Sequence, residues 1–190
     1  MGADVIVGAD GRGRCTWAET GQSGIRDYHD DVWGTRTIDQ SAIFESLTLG
    51  VFQAGLSWSI VFGKRDGFRR AFHGFDVVTT TAMTDAEIDE LMRDPAIIRN
   101  RAKITATIAN AHALHGAWPG FLDLLDNART DHAAPQTLAD IPTSTPAAER
   151  LTRELKSRAF RFVGPTSVYA FMQNVGVVND HLAGCFRAPS

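Results

Sequence analysis

Two stretches of 18 residues carry no charge at all: SLTLGVFQAGLSWSIVFG from Ser46 and FVGPTSVYAFMQNVGVVN from Phe162. Each is long enough to cross a bilayer core, but Gln53, Gln173, Asn174 and repeated Ser, Thr and Gly make both too polar to stay there. A chain with two such segments has to bury them in protein. Ile43, Leu47 and Val51 lead through the first at helical spacing, and Val168, Phe171, Met172 and Val175 run through the second. Period-two alternation is nearly absent, so the expected fold is all-α.

The rest of the composition agrees with one helical domain. A chain of 190 residues, 44% apolar and 22% charged, buries enough surface to fold without disulfides or a partner, and a monomer is expected. The formal charge of −3 excludes a histone-like basic coat but leaves room for a local basic face. No GxGxxG, Walker loop, HExxH or GxSxG is present, so dinucleotide, NTP, zincin and α/β-hydrolase chemistry have no support. The opening MGADVIVGADGRGRC lacks the basic region of an export signal, and the cytoplasm is the expected compartment.

Local signals place the helices. Residues 1–14 read as a loose, glycine-rich arm and 15–190 as a single helical domain. Helices are expected to start near Asp39 or Ser41 and after Ser57, the latter burying Val61, Phe68 and Phe72. Thr84 and Glu87 form a capping box flanked by the Met83–Ile88 staple. Asp94–Pro95 stops that helix, and another runs from about Arg99 to Leu114, with Ile104, Ile108 and Ala111 on its apolar face and Lys103 off it. Thr145–Pro146 starts one more, and Thr166 is the expected cap of the last.

Chemistry enters at the two ends. Cys15 and His29 lie near the start, and His181 and Cys185 near the end at i,i+4 spacing, which shares a face in a helix. Two thiolates and two imidazoles suit a closed, tetrahedral, structural Zn²⁺ site. Two buried thiols beside unrelated histidines fit the same residues, as does a disulfide, although the absence of an export signal disfavours it. His73, His112 and His115 read as surface or satisfied residues. Trp17, Tyr28, Trp33 and Trp58 crowd around these positions and could fill a core or stack on a flat base. Gln53, inside an apolar run, needs partners from backbone or ligand. Basic residues cluster at Arg99, Arg101 and Lys103, at Lys64, Arg65, Arg69 and Arg70, and from Arg150 to Arg161. Such clusters are solvated helix faces or phosphate contacts.

The order of several blocks carries more than any one of them. Cys15-Thr-Trp17, Tyr28-His29-Asp30-Asp31-Val32-Trp33-Gly34 and Gln53-Ala-Gly-Leu-Ser-Trp58 are followed by Ile97-Ile-Arg-Asn-Arg-Ala-Lys-Ile104 and Ile141-Pro-Thr-Ser. Phe160-Arg-Phe-Val-Gly164, Tyr169-Ala-Phe-Met-Gln173 and Asn179-Asp-His181 complete the series. From about Arg14 to Cys185 the chain resembles the bacterial DNA-3-methyladenine glycosylase I family. The resemblance implies a helix-hairpin-helix glycosylase fold, with the hairpin element at about 84–114 and a zinc-stapled terminal region held by Cys15, His29, His181 and Cys185. It implies a monofunctional enzyme that hydrolyses the N-glycosidic bond of an alkylated purine, foremost 3-methyladenine, in double-stranded DNA. Trp17, Tyr28, Gly50, Gln53 and Trp58 then fall in the base pocket, and Arg99, Arg101 and Lys103 at the DNA backbone. No catalytic residue is assigned.

Three departures from the family pattern stand out. Gly50 replaces a glutamate that contacts the base edge, Val32 replaces the glutamate of Glu-Trp-Gly, and Ala96 stands where the hairpin tends to have glycine. Losing carboxylates from a site for a cationic base weakens its attraction. The alternatives are therefore a carboxylate supplied from elsewhere, such as Glu45 or Asp30, a specificity moved toward another or bulkier alkylated purine, or a lesion-binding protein without catalysis.

Overall fold

The computed structural model describes residues 4–189. Among the described residues, ten α-helices follow a short hairpin of β1 (Val5–Val7) and β2 (Gly13–Cys15). They are α1 (Ile25–Asp27), α2 (Gln40–Gln53), α3 (Trp58–Phe62), α4 (Arg65–Ala71) and α5 (Val77–Thr81), then α6 (Asp85–Leu91), α7 (Arg101–Ala117), α8 (Phe121–Asn127), α9 (Pro146–Ser157) and α10 (Pro165–Asn174). The uncharged stretch from Ser46 becomes the second half of α2, which packs against α7 and α10, and the stretch from Phe162 becomes α10. Most of their apolar side chains are buried in protein, while Leu56 and Ile60 of the first and Phe162 of the second stay exposed.

Caps set most boundaries. The Asp39 carboxylate accepts from Ala42 N at 2.7 Å, Ser57 Oγ from Ile60 N at 3.4 Å, and Thr145 Oγ1 from Ala148 N at 3.2 Å. Thr84 and Glu87 close their capping box reciprocally. The helix after Ser57 is split in two, at Gly63–Lys64, so that Phe68 and Phe72 pack from α4 onto Phe52. The last helix begins two residues earlier than the Thr166 cap would put it. Pro165 occupies its first position, and Ser167 Oγ accepts from Gly164 N at 3.0 Å.

The described part of the N-terminal arm, from residue 4, folds into a hairpin. Val5 pairs with Cys15, and Val7 with Gly13, in antiparallel register. Phe186 N donates to Gly13 O at 2.9 Å, which seats the arm on the C-terminal segment. A Cβ on Gly13 would lie 2.2 Å from Gly184 O, so only glycine allows this approach. Ala96, in the turn between α6 and α7, is absent from the residues with positive φ, so its side chain meets no backbone penalty there.

Candidate active site and metal cluster

Consecutive residues Tyr28 and His29 serve two different places because the backbone opens between α1 and Trp33. Trp33 N bonds to Tyr28 O five residues back at 2.8 Å, a widened turn of the kind found at functional sites. Tyr28 turns toward a cluster with Ile25, Trp33 and Phe62, while His29 turns toward Cys15 and Cys185. Gly34 ends the turn at φ 72°, and a Cβ there would stand 3.0 Å from the His181 ring.

Cys15, His29 and Cys185 are buried with their ligand atoms within 4.8 Å of one another, a cluster able to hold a metal ion. Its surroundings fit that chemistry. His29 Nδ1 lies 2.7 Å from Asp30, whose carboxylate is gripped by Arg14 at 2.8 Å, and Arg14 also holds Asp10. An acidic partner at Nδ1 leaves the Nε2 lone pair facing Cys185 Sγ, 3.5 Å away. The hydrogen bond between the two thiols pushes Cys185 down and Cys15 up, so Cys185 is the one that ionises first. The fourth expected ligand, His181, is fully buried beside them, its ring 4.6 Å from that of His29. Asn179 Oδ1 binds its Nδ1 at 2.8 Å, and burial pushes its pKa down to about 4, so the imidazole is neutral. His181 is not part of the three-residue cluster, its Nε2 standing 3.3 Å from His29 O.

A half-open cavity of about 810 Å³ lies beside this cluster. Trp17, Tyr28, Trp33 and Trp58 form its aromatic wall, and Gln53, Gln173 and Asn174 supply amides. Among the described residues, no Lys, Arg, Asp or Glu lines it. Trp17 joins the two sites, its ring 5.0 Å from His29 and 5.0 Å from Trp33. Gln22 and Ser59 exchange hydrogen bonds at the rim. Burial pushes the Tyr28 phenol up, so it stays protonated and able to donate. Tyr28 and Trp58 are 5.5 Å apart and tilted by 39°. A base sandwiched between two rings needs about 7 Å, twice van der Waals contact. The gap between Tyr28 and Trp58 is therefore too narrow to sandwich a base.

Gly50 is the exception among the expected pocket residues. It is buried in α2 and does not line the cavity, and a Cβ there would meet only Ser167 O at 3.8 Å. Neither proposed substitute carboxylate reaches the cavity. Glu45 binds Arg65 and Arg69 beside a separate cavity of about 280 Å³, and Asp30 is held by Arg14 and His29.

Lys103 does not face solvent, contrary to its expected role at the DNA backbone. It is 7% exposed, and its Nζ donates to Phe52 O at 3.1 Å and Ala54 O at 2.7 Å. The lysine satisfies carbonyls at the end of α2, where a cation also complements the helix dipole. Burial lowers its pKa. Arg99 and Arg101 are exposed at the start of α7, Arg101 paired with Asp89. The hairpin is tied to α4 by Lys64 Nζ, which donates to Pro95 O at 2.7 Å. Among the described residues, the amides of Ile98 and Arg99 bond to no group in the chain. Arg101→Glu is expected to weaken binding to damaged and undamaged duplex alike, most at low salt. Lys103→Ala instead should lower stability by about 1–3 kcal/mol by leaving buried carbonyls unpaired. Filter binding and urea unfolding separate the two effects.

Sequence reading missed His132, Asp180 and the inward role of Gln173. Asp180 is buried, accepts from Tyr169 OH and Gln173 Nε2 at 2.6 Å each, and lies 3.0 Å from His132 Nε2. The run Asn179-Asp-His181 contained the signal, but nothing local pointed from Asp180 back to α10.

An aromatic cavity without lining acids or bases has the chemistry to stack a flat ring such as a purine. Comparison with known proteins specifies the class. The family model described as methyladenine glycosylase matches residues 17–188. The chain is 42% identical to DNA-3-methyladenine glycosylase 1 of Escherichia coli (strain K12) over 182 residues, 93% of this chain and 97% of that one. It is 39% identical to DNA-3-methyladenine glycosylase of Haemophilus influenzae, covering 90% and 96% of the two chains. A crystal structure of 3-methyladenine DNA glycosylase I superposes with a TM-score of 0.85 at 39% identity, over 93% of this chain and 100% of that one. The chain belongs to the methyladenine glycosylase family, whose fold is that of the helix-hairpin-helix glycosylases.

Proposed function

We propose that the protein excises 3-methyladenine from double-stranded DNA by hydrolysing its N-glycosidic bond, leaving the strand intact. The observation that carries this reading is the 810 Å³ cavity with four aromatic walls, four amides and, among the described residues, no ionisable lining side chain except the Tyr28 phenol. Stacking on Trp58 and Trp17 holds a flipped purine, and the neutral Tyr28 hydroxyl donates to its edge. A base already cationic from alkylation is a good leaving group, so the reaction does not require a general acid in the pocket. The absence of a lining lysine agrees with simple hydrolysis, since a strand-cutting glycosylase needs an amine nucleophile. DNA approaches the hairpin between α6 and α7, where the Ile98 and Arg99 amides and the Arg99 and Arg101 side chains meet phosphate.

The buried terminal cluster holds one Zn²⁺ in this reading, with His181 joining Cys15, His29 and Cys185. The ion supplies a structural bond between the two chain ends and no step of the reaction. The enzyme acts as a monomer.

Without the family's glutamate, base attraction rests on stacking and neutral hydrogen bonds. Gly50→Glu has room for its first side-chain atom and is expected to raise 3-methyladenine release from methylated DNA by about tenfold, the worth of one charge-assisted hydrogen bond. Release measured by chromatography of free bases tests this. An unchanged rate would mean that position 50 has no access to the base.

A further inference from the structure

Gln173 is a polar group of the cavity whose orientation is fixed from behind by a buried carboxylate. Gln173 lines the pocket from the last turn of α10, and its Nε2 donates to Asp180 Oδ2 at 2.6 Å. Asp180 is 1% exposed and itself held, with Tyr169 OH donating to the same oxygen at 2.6 Å and His132 Nε2 3.0 Å from the other. A carboxylate only accepts, so the Gln173 amide cannot flip without placing its oxygen against Asp180. The backbone is fixed as well, because Gly34 N donates to Gln173 O at 2.9 Å. Among the described residues no donor reaches Gln173 Oε1, which is not a sealed, unsatisfied atom. Gln53 also lines the cavity, and among the described residues its amide has no hydrogen-bond partner.

We propose that Gln173 is a specificity-determining contact to the flipped base, with Asp180 as its positioning residue. Gln173 presents an obligate acceptor to the cavity. An exocyclic 6-amino group, as on an alkylated adenine, donates to it, whereas the 6-oxo group of an alkylated guanine meets it acceptor to acceptor. The Tyr169–Asp180–Gln173 chain therefore favours adenine-type over guanine-type lesions at a site where Gly50 provides no carboxylate to do so. Asp180 acts only through Gln173, since it does not line the pocket. This inference rests on the base-excision reading above.

The test uses DNA treated with a methylating agent, which carries 3-methyladenine and 3-methylguanine together, with both released bases quantified in one reaction. Gln173→Met removes the acceptor, and Asp180→Asn lets the amide turn its NH₂ toward the base. Wild-type protein is expected to favour 3-methyladenine, and each variant to lower the ratio of 3-methyladenine to 3-methylguanine release by about 3–10-fold. General structural damage lowers both rates together and leaves the ratio unmoved. Should Asp180→Asn fail to fold, Gln173→Met and a fluorescence titration of the wild type with the two free bases still decide the question. An unchanged ratio in Gln173→Met, with wild type active, overturns the role of Gln173 alone. Release of no base by wild type overturns the base-excision reading instead.

Discussion

Cys185→Ser is expected to lower thermal stability more than any other single change. It removes one thiolate from a buried cluster that joins β2 to the C-terminal segment. Losing a metal site ranks among the few mechanisms that exceed about 4 kcal/mol. For a chain of this size that corresponds to about 8–16 °C in Tm. The damage reaches the base pocket as well, because Trp17 packs on His29 and lines the cavity. Calorimetry with and without a strong chelator gives the check. The wild type should lose stability on chelation and the variant should respond little, while elemental analysis finds one zinc per wild-type chain. A folded wild type without zinc, indifferent to chelator, would contradict the metal assignment.

Trp58→Ala carries the second large effect. Base–aromatic stacking is worth about 1–3 kcal/mol per base, which is about 5–150-fold in affinity. Trp58 is half-buried at the cavity wall and contributes less to the main core than Phe52 or Phe68, so its removal should spare the fold. Tyr28→Phe keeps the ring and deletes one hydrogen bond, a loss of about 0.5–1.5 kcal/mol. Single-turnover base release should therefore fall further in Trp58→Ala than in Tyr28→Phe, with both variants melting near the wild type. The reverse order would shift the burden of binding from stacking to the phenol.

Much of the helical framework is legible because its signals are local. Asp39, Ser57, Thr84 and Thr145 each cap the helix they announce, since a side-chain oxygen reaches an amide only three residues on. The β1–β2 hairpin is not legible, because three-residue strands are too short for an alternation pattern, and what holds them is the distant segment around Gly184 and Phe186. Lys103 misleads for a related reason. Its position on the polar side of α7 is read correctly, but the carbonyls of Phe52 and Ala54 that bury it belong to another helix. The aromatic wall is legible as a cluster of residue types, with Gly50 behind it rather than in it. The Gln173–Asp180 pair is legible only after α10 and the segment beyond it are folded together.

Mass spectrometry of the bases released from methylated duplex DNA by the purified wild-type protein tests the central claim most directly. The account predicts free 3-methyladenine, accompanied by abasic sites in unbroken strands. Methylated DNA that keeps all its 3-methyladenine, under conditions where the protein is folded and binds the duplex, would contradict it.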